Sequence, residues 1–68
     1  MNATVNGQLE RLPERATVAD VVTRLGHEPG GRGLAVALNG EVVARAQWTA
    51  TQVTEGDRLE VLIATQGG

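Results

Sequence analysis

The residues best placed to do chemistry in this 68-residue chain are its last two, Gly67 and Gly68. Without side chains, a diglycine threads a channel that any Cβ would block and takes whatever dihedrals the far end of that channel demands. The four residues 65–68 reach roughly 13 Å when extended, so a Gly68 carboxylate could enter a site on another protein while the globular body stays outside. Activating a carboxylate requires a better leaving group than oxygen, commonly an acyl-adenylate, and the chain shows no means of making one. The Gly30-Gly31-Arg32-Gly33 segment lacks a P-loop lysine and its spacing, and it precedes a strand rather than opening a helix. It reads as a connector, and the protein as a substrate for a nucleotide-using partner.

The other candidates are weaker. His27 is the sole histidine and has no nucleophile or metal-ligand partner at useful spacing; following a helix-ending glycine, it suits the dipole there. The acidic residues, from Glu10 to Glu60, are scattered and form no credible acid–base pair. No catalytic or metal-ligating set is therefore assigned, and an enzyme is not expected. Cysteine is absent, which excludes disulfides, thiolate zinc sites and thiol catalysis. All six basic residues are arginine, none in a run, and the net charge is −2, so a nucleic-acid surface is not expected. No apolar run approaches a membrane span of about 20 residues and no signal pattern opens the chain, so a cytoplasmic protein is the expectation.

The elements that must carry the tail follow from the apolar pattern. Nine valines favour sheet. Residues 1–6 read as a strand with Ala3 and Val5 on one face. Asn6-Gly7 is a hairpin signal, and a three-residue loop pairing Val5 with Leu9 is the preferred register because it keeps Leu9 inside. Residues 9–12 form the second strand, which Pro13 ends. Thr17 and Asp20 resemble a capping box, and Val18, Val21, Val22 and Leu25 make one helical stripe ended by Gly26. Residues 34–38 alternate, with Leu34, Val36 and Leu38 opposite Ala35 and Ala37. After the Asn39-Gly40 turn, residues 41–44 form a fourth strand with Val42 or Val43 pointing outward. Residues 45–54 are irregular, with Trp48 read as a core or rim anchor rather than a binding residue. Residues 58–65 form the clearest strand, with Leu59, Val61 and Ile63 inside and Leu62 outside.

The order ββαββ, with one short helix that must bury its stripe on the sheet and parallel pairing of the first and last strands through a right-handed crossover, gives an α+β class. It is the β-grasp, or ubiquitin-like, arrangement: a mixed sheet packed on one helix, with residues 1–65 as the domain and 66–68 as a flexible tail. Leu62, Ala35 and Ala37 then share the outer face beside the tail exit, as an apolar patch for partner docking.

The run Ala37-Leu38-Asn39-Gly40-Glu41-Val42-Val43, with Arg45, Trp48, Gly56-Asp57-Arg58 and the closing Gln66-Gly67-Gly68, resembles the sulfur-carrier proteins of thiamin (thiazole) biosynthesis along essentially the whole chain. The Asn-Gly-Glu, Gly-Asp and Gly-Gly elements are shared with the small subunit of molybdopterin synthase. That relative usually has paired prolines before its tail, where this chain has Ala64-Thr65-Gln66, and Ala44 stands where many thiazole-branch members carry proline. The resemblance implies that an E1-like adenylyltransferase, using ATP and Mg²⁺, adenylates Gly68. A sulfur donor such as a cysteine desulfurase then displaces AMP to leave a thiocarboxylate, and thiazole synthase takes the sulfur. Gly67 and Gln66 would thread the partner's channel, and no cofactor would be bound by the chain itself. The alternatives are a carrier serving molybdopterin or another sulfur metabolite, a ubiquitin-like modifier of target lysines, and a plain binding domain with an idle tail.

Overall fold

The alternating valines and leucines fold into β1 (Asn2–Val5), β2 (Gln8–Arg11), β3 (Leu34–Leu38), β4 (Glu41–Val43) and β5 (Arg58–Ile63), with helix α1 (Val18–Arg24) after β2 and a 3₁₀ turn (Arg45–Gln47) after β4. The computed structural model describes residues 1–28 and 32–63. Part of the glycine-rich segment, residues 29–31, and the tail residues Gln66, Gly67 and Gly68 lie outside the described residues.

The five strands form one mixed sheet in the order β2-β1-β5-β3-β4. β5 is its centre, parallel to β1 and antiparallel to β3. One face packs on α1: Val18, Val21 and Val22 meet Ala3, Val5, Val36, Leu59 and Val61, all buried. This is the β-grasp arrangement expected from the element order.

The seven-residue helix is too short to persist alone, and the fold completes its ends. Thr17 Oγ1 accepts from the Asp20 N–H at 3.2 Å, and the Thr17 N–H donates to Asp20 Oδ2 at 2.9 Å, closing the capping box. The N–H groups of Val18 and Ala19 donate to the carbonyls of Thr51 and Trp48. The irregular segment before β5 thus caps the helix. At the other end, Gly26 (φ +92°) lets its own N–H reach the Thr23 carbonyl and the His27 N–H reach the Val22 carbonyl, a Schellman closure. Of the two structural places expected for Trp48, core or rim, it takes the core: it is buried, with its indole N–H donating to the Val43 carbonyl at 2.9 Å.

Three expectations need correction. Val5 pairs with Gln8, not Leu9. Asn6 (φ 51°) and Gly7 (φ 82°) both take positive φ, the two-residue turn whose twist matches a hairpin, and Leu9 is left 71% exposed on the outer face. β2 is an edge strand, so Gln8 and Glu10 reach water from the inner side, and the polar cost that favoured the other register is small. Leu25 follows the last helical turn as C-cap and is 40% exposed rather than part of the buried stripe. Ile63 follows Leu59 and Val61 in alternation but is 62% exposed, because β1 has already turned away at that height of the sheet.

Candidate functional site: the central strand and its outer face

β5 carries the chain toward residues 66–68, and its neighbours hold it from both sides. On the β1 side, the Asn6 N–H donates to the Leu59 carbonyl at 2.9 Å, and Asn6 Oδ1 accepts from the Val61 N–H at 2.8 Å. On the β3 side, the Asn39 N–H donates to the Arg58 carbonyl at 2.7 Å, and Asn39 Oδ1 accepts from the Arg58 N–H at 2.9 Å. In each case the chain turns at an Asn-Gly pair, and the side-chain amide oxygen stands where the next main-chain carbonyl of the ladder would be. Sequence reasoning treated these asparagines as turn formers alone; the second role has no sequence signal beyond the Asn-Gly pairs themselves.

Asp57 secures the start of the strand. Its carboxylate accepts from Asn39 Nδ2 at 3.0 Å, from the Thr54 N–H at 2.7 Å and from the Thr54 hydroxyl at 3.1 Å. Burial pushes the carboxyl's pKa up, but the hydrogen bonds from Asn39 and Thr54 outweigh it and hold the group below its ordinary value.

The outer face brings together the residues expected to dock a partner. Leu62 lies directly opposite Ala35 across β5 and β3, and Ala37 lies between Glu60 on β5 and Val42 on β4. Leu62 is 64% and Val42 79% exposed. The second Asn-Gly turn pairs Leu38 with Glu41, which settles that Val42, not Val43, points outward. The result is an apolar strip across three strands with one carboxylate, Glu60, at its side. Gln66, Gly67 and Gly68, the residues expected to thread a channel and carry the attachment, lie outside the described residues.

Among the described residues, nothing else gathers reactive groups. No cluster of three or more His, Asp or Glu side chains that could hold a metal occurs among the described residues. His27 is half-buried at the helix end, where its backbone N–H closes the turn. Among the described residues no helix is long and apolar enough to cross a membrane.

The family model described as the ThiS family matches residues 2–68. The crystal structure of a thiamine biosynthesis protein (ThiS) from Geobacter metallireducens is 36% identical, with all of both chains covered and a TM-score of 0.82. The solution structure from the same organism gives 36% identity and a TM-score of 0.80, covering all of this chain and 88% of that one. The crystal structure of SAMP1 from Haloferax volcanii, 21% identical with 98% of this chain and 97% of that one covered, shares the fold at a TM-score of 0.61. No curated protein is significantly similar to the chain. A family model matched from residue 2 to residue 68, together with a relative covered in full at more than a third identity, establishes that this chain belongs to the ThiS family.

Proposed function

We propose that this protein is a sulfur carrier for thiazole formation in thiamine biosynthesis, with the Gly68 carboxylate as the point of attachment. The observation that carries this reading is the match to the ThiS family through the Gly67-Gly68 end. The 36% identity to a thiamine biosynthesis protein supports the pathway.

In this reading an E1-like adenylyltransferase, with ATP and Mg²⁺, joins the Gly68 carboxylate to AMP and releases pyrophosphate. The outer sulfur of a cysteine persulfide, on a desulfurase or on the partner, attacks the acyl carbon and AMP leaves, giving an acyl disulfide. A second thiol then attacks the cysteine sulfur of that disulfide, forming a new disulfide and freeing the thiocarboxylate on Gly68 for thiazole synthase. The chain's part is presentation. Its central strand gives the tail a rigid base, Gln66 and Gly67 pass through the partner's channel, and Leu62, Ala35 and Ala37 dock the body outside. The lack of cysteine accords with sulfur travelling on the main-chain terminus. The lack of lysine leaves no side-chain amine to attack the activated tail.

The test is the intact mass after co-expression with the adenylyltransferase and a sulfur source. Replacement of one oxygen by one sulfur, localised to the C-terminal peptide, is the expected result. An unchanged mass beside a demonstrably active partner overturns the reading. Loss of growth without thiazole on gene deletion places the carrier in thiamine synthesis; loss of molybdoenzyme activity instead would move it to the molybdopterin pathway.

A further inference from the structure

The central strand is held on both sides at its start but on one side at its end. β1 pairs with β5 at Thr4↔Arg58 and Val5↔Leu59, and then turns away. β3 runs the whole length of β5, out to Leu34↔Ile63. In a strand, successive residues aim their main-chain groups to opposite edges. The carbonyls of Asp57 and Leu59 and the N–H of Val61 bond toward β1, while both groups of Arg58 bond toward β3. Ile63, two residues past Val61, therefore aims its N–H and carbonyl to the β1 side, as Val61 does its carbonyl. Asn6 Oδ1 supplies the last partner on that edge. Beyond it, the Val61 carbonyl and both Ile63 groups meet no main-chain partner among the described residues.

We infer that this short open edge, from Val61 to Ile63 beside the Asn6-Gly7 turn, seats an extended segment of the enzyme that activates the tail. That segment adds as a further strand where β1 leaves off. The inference rests on the carrier reading above. An acceptor–donor–acceptor row of main-chain groups at strand spacing is complementary to another extended backbone. Leu62 and Ile63, both more than 60% exposed, stand on opposite faces beside the edge and offer such a segment an apolar contact on each face. Gly7 leaves the approach clear: a Cβ built there would meet nothing within 4 Å. The same edge leads directly into the residues that must enter the partner's channel, so pairing here would fix the tail's direction as well as the body's position.

Ile63→Pro and Ile63→Ala separate backbone from side chain. Both remove the isoleucine, but proline alone also removes the N–H, and an edge N–H without an internal partner is where a strand accepts proline. Both variants are expected to keep the sheet, read by amide spectra. In ATP–pyrophosphate exchange with the adenylyltransferase, Ile63→Pro is expected to lower kcat/KM at least tenfold relative to Ile63→Ala. Equal exchange by the two variants, with the wild type active, overturns the edge inference and leaves the carrier reading standing. No exchange by the wild type overturns the carrier reading itself. Hydrogen exchange covers the case in which the proline variant does not fold. The Ile63 amide is expected to exchange freely in the wild-type chain and to become protected when the enzyme is added, whereas the Leu62 amide, bonded toward β3, is protected throughout. An Ile63 amide that stays unprotected in the complex overturns the inference. So does protection that appears with protein concentration alone, since the edge would then pair with a second copy of this chain.

Discussion

Asn6 Oδ1 stands 2.8 Å from the Val61 N–H and continues the β1–β5 ladder after the backbone of β1 has turned away. The parallel contact between the first and last strands of the chain is short, two residue pairs, so one side-chain acceptor is a substantial part of it. An unsatisfied Val61 N–H would sit part-buried where the β1–β5 ladder ends, two residues past the buried Leu59.

Asn6→Gly isolates that bond. Glycine accepts the positive φ of position 6 without strain, and that relief offsets its greater unfolded entropy, so the remaining loss is chiefly the acceptor, a cost of about 1 kcal/mol. Asn6→Asp keeps an oxygen in the same place and should retain most of the stability at neutral pH. Urea denaturation of the three proteins checks the order wild type ≥ Asp > Gly. A glycine variant as stable as the wild type would show that water replaces the bond at no cost.

Asp57 makes stability depend on pH in one direction. Its folded pKa is lowered, net, by the Asn39 and Thr54 hydrogen bonds acting against burial. A carboxylate with a depressed folded pKa contributes stability that is fully present above its unfolded value, about 3.9, and is lost as pH falls through the folded value. Melting temperature should therefore decline on acidification below about pH 4. Asp57→Asn should be less stable at pH 7 and show a shallower decline in that window. A variant with the wild-type acid profile would assign the effect to other carboxylates.

Much of this was legible in the sequence because it rests on local rules. Thr17 and Asp20 sit at the spacing a capping box requires. Gly26 follows the helical stripe, and Val18, Val21 and Val22 recur at the period that buries one face. The outward positions of Leu62, Ala35 and Ala37 follow from strict alternation in β3 and β5. What failed depended on neighbours distant in sequence. Keeping Leu9 inside favours a three-residue hairpin loop, whereas the positive φ values of Asn6 and Gly7, and the bonds Asn6 makes to β5, fix Val5 opposite Gln8. Ile63 has the right parity to be buried, but parity does not say where the next strand stops. The asparagine clamps were invisible for the same reason, since each joins residues 19 or 55 positions apart.

Arg15 is a further position where the backbone conflicts with the residue type. Its φ is +68°, and the Ala16 N–H closes on the Pro13 carbonyl at 3.2 Å, so Arg15 occupies the position where a type II turn favours glycine. The side chain is exposed. Arg15→Gly should be neutral or stabilise by up to about 1 kcal/mol, as relief of left-handed strain competes with glycine's greater unfolded entropy. Arg15→Val, β-branched at positive φ, should cost about 1 kcal/mol or more. Thermal melts of the pair give the answer, and a valine variant equal to the glycine variant would mean that the turn rearranges.

The proposed division of labour between sheet face and tail predicts two separable defects. Leu62 is 64% exposed and lies opposite Ala35 on the outer face. Leu62→Arg should therefore change stability by no more than about 0.5 kcal/mol. It places a charge at the β5 end of the apolar strip, beside the strand that leads to the tail, and desolvated apolar contacts are where binding energy at an interface concentrates. The expected effect is a rise of tenfold or more in KM for adenylation, with kcat nearly kept at saturation. Gly67→Val should do the reverse. The body still docks, but a β-branched side chain in the threading segment blocks the carboxylate from the nucleotide, so adenylation stops while the variant competes with wild type for the enzyme. Steady-state kinetics and a competition assay with each variant separate the two. Normal adenylation of the valine variant would sink the threading idea, and an unchanged KM for Leu62→Arg would move the docking surface off this face of the sheet.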